Sequence, residues 1–136
     1  MGNRILALDV GTKRIGVAIS DPLCIIAKPH STIDRNRHAF AKIAAIAREL
    51  DVASILVGLP LHLDGREGEQ AMDVRNFASK LIPEVNPLPV HFYDERLTTV
   101  EAEERLADRR GDWRKKKSRI DAFAAASLLE SYLRER

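Results

Sequence analysis

Apolar residues occupy both parities of residues 4 to 10 (Arg-Ile-Leu-Ala-Leu-Asp-Val), which predicts a strand buried on both faces. Gly11-Thr12-Lys13-Arg14 then reads as a short turn, and Ile15 to Ser20 as a second strand near enough to pair antiparallel with the first. A third strand is expected around Cys24 to Ile33. Pro29 removes a ladder donor there, so this strand belongs at the sheet edge. The period then changes. Phe40, Ile43, Ala44, Ala47 and Leu50 follow helical spacing, Ala53 to Val57 is a short β run ending at Gly58, and Ala71, Val74, Ala78 and Leu81 mark a second helix before Pro83. Val90 to Tyr93 predicts a fifth strand, followed by helices over about Thr99 to Asp108 and about Arg119 to Arg134. The expected architecture is α/β: a mixed five-stranded sheet, built as a three-strand meander followed by βαβ crossovers and flanked by helices. No repeat, linker or low-complexity tract divides the chain, so residues 1–136 are expected to form a single domain.

Composition narrows the class. A chain of 136 residues with 45% hydrophobic positions can close one core and is not disordered. The apolar stretch Ile5 to Leu8 is broken by Asp9 and is too short for a signal sequence, and no segment approaches the ~18 apolar residues of a membrane span. Leu6 stands where a myristoylation signal needs Ser or Thr. A cytoplasmic protein without membrane attachment is the expectation. The lone Cys24 reads as a small core residue, and the four scattered histidines lack zinc-like spacing, so any metal would be held by carboxylates. Net charge is only +2, which gives no sign of a nucleic-acid partner until its distribution is read. Residues 109 to 119 carry +6, and the remaining 125 residues sum to −4.

Three acids stand at the ends of predicted elements. Asp9 lies at the C-terminal end of the first strand, Glu95 just past the fifth, and Asp121 in the first turn of the last helix. Open α/β sheets place chemistry outside the carboxyl ends of their strands. An acid following Leu6, Ala7 and Leu8 is costly unless something satisfies it, whereas a turn-former ahead of Gly11 is the plainer alternative. Asp94-Glu95-Arg96 could be an exposed loop with a local ion pair. Ser118-Arg-Ile-Asp121 has the form of a capping box, as does Thr98-Thr-Val-Glu101, where the structural role is accepted. Against mere capping, Asp121 shares a helical stripe with Ala125, Leu128 and Tyr132, and Ala122, Ala124, Ala125 and Ala126 keep that helix slim enough to lie close on the sheet. If the acids converge, two carboxylates ~4 Å apart repel by about 4 kcal/mol at an effective dielectric of ~20, a cost that Mg²⁺ or Mn²⁺ reverses. A pair of such ions can carry out phosphodiester hydrolysis, and the basic segment before Asp121 suits a polyphosphate substrate.

Four blocks in order resemble one family: Ala7-Leu-Asp-Val-Gly-Thr-Lys-Arg-Ile-Gly-Val-Ala18, Val57-Gly-Leu-Pro-Leu-His-Leu-Asp-Gly65, Asp94-Glu-Arg-Leu-Thr-Thr99, and Lys117-Ser-Arg-Ile-Asp-Ala-Phe-Ala-Ala125 running on to Leu133. They are similar to the YqgF/RuvX proteins, ribonuclease H-like nucleases first described as resolvases and now connected with maturation of precursor 16S ribosomal RNA at its 5′ end. The resemblance implies a ribonuclease H-like fold, catalytic and metal-binding roles for Asp9, Glu95 and Asp121, and two-metal hydrolysis with Asp9 as central ligand and no covalent intermediate. It further implies that Lys13, Arg14, Arg96, Arg114, Lys115, Lys116, Lys117 and Arg119 hold phosphates, and that Gly58, Leu59 and Pro60 form a strand-end loop beside the site. Trp113 could stack on a base or anchor the basic loop. The implied partner is precursor rRNA, with a ribosome or pre-ribosomal particle, for a monomer or homodimer.

Three alternatives stay open on the sequence. The same chemistry could resolve four-way DNA junctions, which requires a dimer for symmetric cutting. Asp9-Val-Gly-Thr also resembles the phosphate loop of actin-like and sugar-kinase folds, although those need two such domains. Gly11 to Gly16 imitates a P-loop but has Val17-Ala18 where Lys-Ser/Thr is required. A non-catalytic RNA-binding module, with Asp121 only a cap, is the third.

Overall fold

The structure, a computed structural model, describes residues 3–97 and 117–135. Five strands form one sheet: β1 (Arg4–Val10), β2 (Arg14–Ser20), β3 (Ala27–Asp34), β4 (Val52–Leu59) and β5 (Val90–Asp94). Their spatial order is β3-β2-β1-β4-β5. The first three pair antiparallel as a meander, whereas β1–β4 and β4–β5 are parallel. Helix α1 (Ala39–Glu49) connects β3 to β4, and α2 (Glu69–Val85) connects β4 to β5. A 3₁₀ turn over Glu95–Leu97 follows β5, and α3 (Lys117–Glu135) closes the described chain. This is the mixed sheet expected from the change of period, with Pro29 on the edge strand β3 as anticipated.

Alternation along the strands divides two cores. Leu6, Leu8, Ile15, Val17, Ile55 and Val57 face α1 and α2, where they pack with Ile43, Ala47, Val74, Phe77 and Leu81. Ile5, Ala7, Ala18, Leu56 and Tyr93 face the other way and pack with Phe123, Ala125, Ala126, Leu128 and Leu129 of α3. Burial on both faces explains why β1 and β4 read as unbroken apolar runs. On the α3 side the core includes the small residues Ala7, Ala18, Ala27, Ala125 and Ala126 among larger ones.

Several boundaries differ from expectation. Strand β4 does not end at Gly58 but runs on to Leu59, because Gly58 still pairs with Tyr93 and Leu59 with Asp94. Strand β3 begins at Ala27 rather than near Cys24. The Asp21 side chain accepts from the N–H groups of Leu23, Ile25 and Ile26 and organises the preceding loop instead, with Cys24 in a left-handed conformation at φ 56°. Helix α2 continues past Pro83, which lies in its last turn and so removes only one late intrahelical bond, while Leu81 and Val85 are buried on either side. Helix α1 stops where Asp51 takes φ 54°, a conformation that Asp tolerates, and the chain returns at once into β4. The helix expected over Thr99 to Asp108 and the Thr98–Glu101 cap lie outside the described residues. Among the described residues, no helix is long and apolar enough to cross a membrane.

Candidate active site

Asp9 stands one residue before the end of β1, in a row where both neighbouring strands contribute glycine. Across the antiparallel pair its partner is Gly16. On the parallel side Leu8 pairs with Val57, which places Gly58 beside Asp9. Each glycine admits a different element. A Cβ on Gly16 would collide with the backbone carbonyl of Asp121, so α3 rests directly on β2 at this point. A Cβ on Gly58 would stand 2.6 Å from Glu95 Oε1 and 3.0 Å from Leu128 Cδ2, so the Glu95 side chain folds back over β4. Two strand glycines thus bring Asp121 and Glu95 in from opposite sides of Asp9.

The electrostatics follow from that crowding. Glu95 and Asp9 are hydrogen-bonded to each other and partly buried. Burial, followed by the charge and hydrogen bond of Asp9 and the charge of Asp94, pushes the Glu95 carboxyl up to about 7. Burial also raises Asp9, opposed by the hydrogen bond with Glu95 and reinforced by the charge of Asp121. The two carboxyls therefore titrate as a coupled pair, both displaced upward. Asp121 is relieved differently: Arg14 Nε donates to its Oδ2 at 2.8 Å. Among the described residues no three acids converge as a ready coordination set. The Asp121 carboxylate is held by Arg14, while Glu95 and Asp9 pair with each other. The donors nevertheless suit a hard divalent cation, being oxygen-only and carrying, as a shared proton and a guanidinium, the positive charge that a metal would replace.

Residues 3–135 match the family model described as RuvX: Holliday junction resolvase. The chain belongs to the RuvX family. It is 44% identical over 135 residues to a candidate pre-16S rRNA nuclease of Lachnospira eligens, covering 96% of each chain. A protein of Moorella thermoacetica bearing the same name is 47% identical over 133 residues, covering 96% of this chain and 94% of that one. Among solved structures, Thermus thermophilus RuvC in complex with a Holliday junction substrate aligns with a TM-score of 0.59 at 15% identity, over 97% of this chain and 95% of that chain. The Fowlpox virus resolvase with Holliday junction DNA gives 0.59 at 14% identity, over 97% of both chains. These likenesses place the RuvX chain in the ribonuclease H-like fold.

The remaining residues singled out in this RuvX sequence are placed unevenly. Lys13 is exposed on the turn directly after β1, and Arg35 braces that turn by donating its backbone N–H to Lys13 O at 2.8 Å and its Nη1 to Gly11 O at 2.9 Å. Arg14 is engaged with Asp121, and Arg96 with Asp94 in the local ion pair that the sequence allowed. Glu95, between those two, turns inward instead of joining them. Helix α3 begins at Lys117, so Ser118 already lies within it and Asp121 falls in its second turn rather than its first. Gly58 and Leu59 are strand residues, and the group approaching Gly58 is the Glu95 side chain. Arg114, Lys115, Lys116 and Trp113 lie outside the described residues, whereas Lys117 and Arg119 sit on the backbone of α3's first turn. Gly16 lies within the Ala7–Ala18 block, and a glycine inside a strand is itself a sign of close approach.

Proposed function

We propose that this RuvX chain is a divalent-metal-dependent nuclease, one domain over residues 1–136, that hydrolyses phosphodiester bonds in maturing the 5′ end of precursor 16S ribosomal RNA. The observation carrying this reading is the placement of the Asp9 and Glu95 carboxyls together at the strand ends, with the Asp121 backbone brought against Gly16 beside them. Asp9, Glu95 and Asp121 would hold two Mg²⁺ or Mn²⁺ ions, which when bound supply an activated water and stabilise the leaving oxygen. Asp9 is the central ligand. Glu95 must give up its proton to serve, and its elevated affinity for that proton keeps the pair stable when no cation is held. Arg14 neutralises Asp121 in the same condition. Lys13 and the segment carrying Arg114, Lys115, Lys116, Lys117 and Arg119 hold backbone phosphates around the acids. The names of the RuvX relatives support an rRNA substrate; the proposal places the cleavage in the cytoplasm, on a pre-ribosomal particle.

Junction DNA is the second reading, favoured by the description of the matching family and by the junction complexes among the structural neighbours. One assay separates the cases: cleavage of single-stranded precursor RNA and of a four-way DNA junction, with and without Mn²⁺, by the wild type and Asp9→Asn. The expected result is Mn²⁺-dependent RNA cleavage that Asp9→Asn abolishes while RNA binding persists. Unchanged cleavage by Asp9→Asn would sink the metal-site reading. Preferential cutting of the junction would replace only the substrate.

A further inference from the structure

Arg96 follows Glu95 directly, and three of its five guanidinium N–H groups are engaged inside the protein. Nε and Nη2 reach Asp94 Oδ2 at 3.0 and 2.7 Å, and Nε also reaches Oδ1 at 3.1 Å. Asp94 Oδ1 accepts in addition from the Arg96 backbone N–H at 2.9 Å. On the other side Nη1 donates to the carbonyl of Leu63 at 2.9 Å. Leu63 belongs to a hairpin that follows β4 and is closed by the Leu61–Glu67 bridge, by His62 N–H on Arg66 O at 2.9 Å and by Gly65 N–H on His62 O at 2.8 Å. Gly65 turns the tip at φ +91°, and the Arg96 guanidinium lies 3.7 Å from where its Cβ would stand. Arg75 of α2 grips Glu67 at 2.6 and 2.7 Å and ties the far end of the hairpin down.

We propose that Arg96 is a positioning residue for Glu95: its planar fork locks the 95–97 turn to Asp94 on one side and to the 61–67 hairpin on the other, and so holds the Glu95 carboxyl over Gly58. This rests on the reading of Glu95 as a site carboxylate. Two N–H groups of the guanidinium stay open, so the positioning role and a substrate contact are told apart by kinetics. Its geometry also excludes a simple charge effect, since a lysine ammonium cannot span Asp94 and Leu63 O with a rigid fork.

The test uses the full chain with Mn²⁺ and a labelled single-stranded RNA, comparing wild type, Arg96→Ala, Arg96→Lys, Gly65→Ala and Asp9→Asn. Arg96→Ala is expected to lower kcat by about tenfold to a hundredfold, the cost of a misplaced catalytic group, with KM and the salt dependence of RNA binding unchanged. Arg96→Lys does not restore kcat. Gly65→Ala, which strains the hairpin tip at φ +91° and leaves the Arg96 side chain itself in place, lowers kcat in the same direction and keeps the test valid if Arg96→Ala folds poorly. The assignment is overturned if Arg96→Ala keeps its kcat while binding weakens and the salt slope falls by about one, the signature of a lost phosphate contact. Full rescue by lysine, or wild-type kinetics for Arg96→Ala, overturns it as well. An inactive Asp9→Asn beside a fully active Arg96→Ala removes only the Arg96 assignment. A fully active Asp9→Asn removes the acid-site reading beneath it.

Discussion

Replacing Glu95 with Gln should stabilise the metal-free protein at alkaline pH while destroying its function. Glu95 titrates at about 7 in the folded chain, against its ordinary 4.5 in the unfolded one. Between those values the folded chain holds a proton that the unfolded chain has released. Stability therefore falls as pH rises from 4.5 through about 7 and is level above it. A carboxyl displaced that far corresponds to about 3 kcal/mol, and solvent reaching this partly open site reduces it to about 2 kcal/mol. Glutamine keeps an N–H to donate to Asp9 and has no proton to lose. Glu95→Gln should accordingly match the wild type near pH 4.5 and exceed it by about 2 kcal/mol at pH 8. Urea denaturation in chelator at pH 5, 6, 7 and 8 measures this difference, since groups other than Asp9 contribute equally to both proteins and Asp9 keeps a hydrogen-bond donor in each. Adding Mn²⁺ at pH 8 should reverse the order, because only the wild type retains the full set of acids and gains stability by binding. Parallel pH profiles for the two proteins, or a wild type more stable at pH 8 in chelator, would refute the shared-proton account.

Two further substitutions probe the placement of Asp121. Gly16→Ala puts a methyl into the Asp121 carbonyl, so α3 must lift; a loss of about 3 kcal/mol in chemical denaturation is expected together with loss of cleavage, and an unchanged midpoint would contradict the contact. Arg14→Ala frees the Asp121 carboxylate from a partly exposed ion pair, so Mn²⁺ binding measured by calorimetry should tighten about twofold to fivefold, whereas weaker binding would mean that Arg14 supports the site rather than competing for it.

Much of the fold was legible because strand and helix periods differ. Leu6 and Leu8 face α1 and α2 while Ile5 and Ala7 face α3, so β1 shows no alternation and reads as a doubly buried strand. Pro29 marked the edge for the same local reason, a missing donor. The errors arose where tertiary contacts outweighed local signals. Pro83 interrupts one hydrogen bond near a helix end, which the burial of Leu81 and Val85 outweighs. Gly58 looks like a strand terminator, yet its pairing with Tyr93 continues β4, and the missing side chain serves Glu95 instead.

The acids themselves were visible from their positions at element ends, but the packing around Asp9 was not. The approach of the Glu95 side chain and of the Asp121 backbone depends on Gly16 and Gly58 both standing beside Asp9, a juxtaposition that exists only once β2 and β4 are known to flank β1. Charge was equally ambiguous. The family resemblance implies that Arg14 and Arg96 hold phosphates, and in the structure each pairs with an aspartate, Asp121 and Asp94. An arginine adjoining a carboxylate cluster is drawn first to the nearest fixed anion, because in the absence of bound cations that pairing relieves the repulsion the cluster creates. The short stretches around Asp9 and Glu95 thus carry their own counter-ions. A basic residue within a few positions of a clustered acid should be tested as its partner before being assigned to the substrate, and metal affinity separates the roles: removing a competing partner tightens it, while removing a phosphate ligand leaves it unchanged.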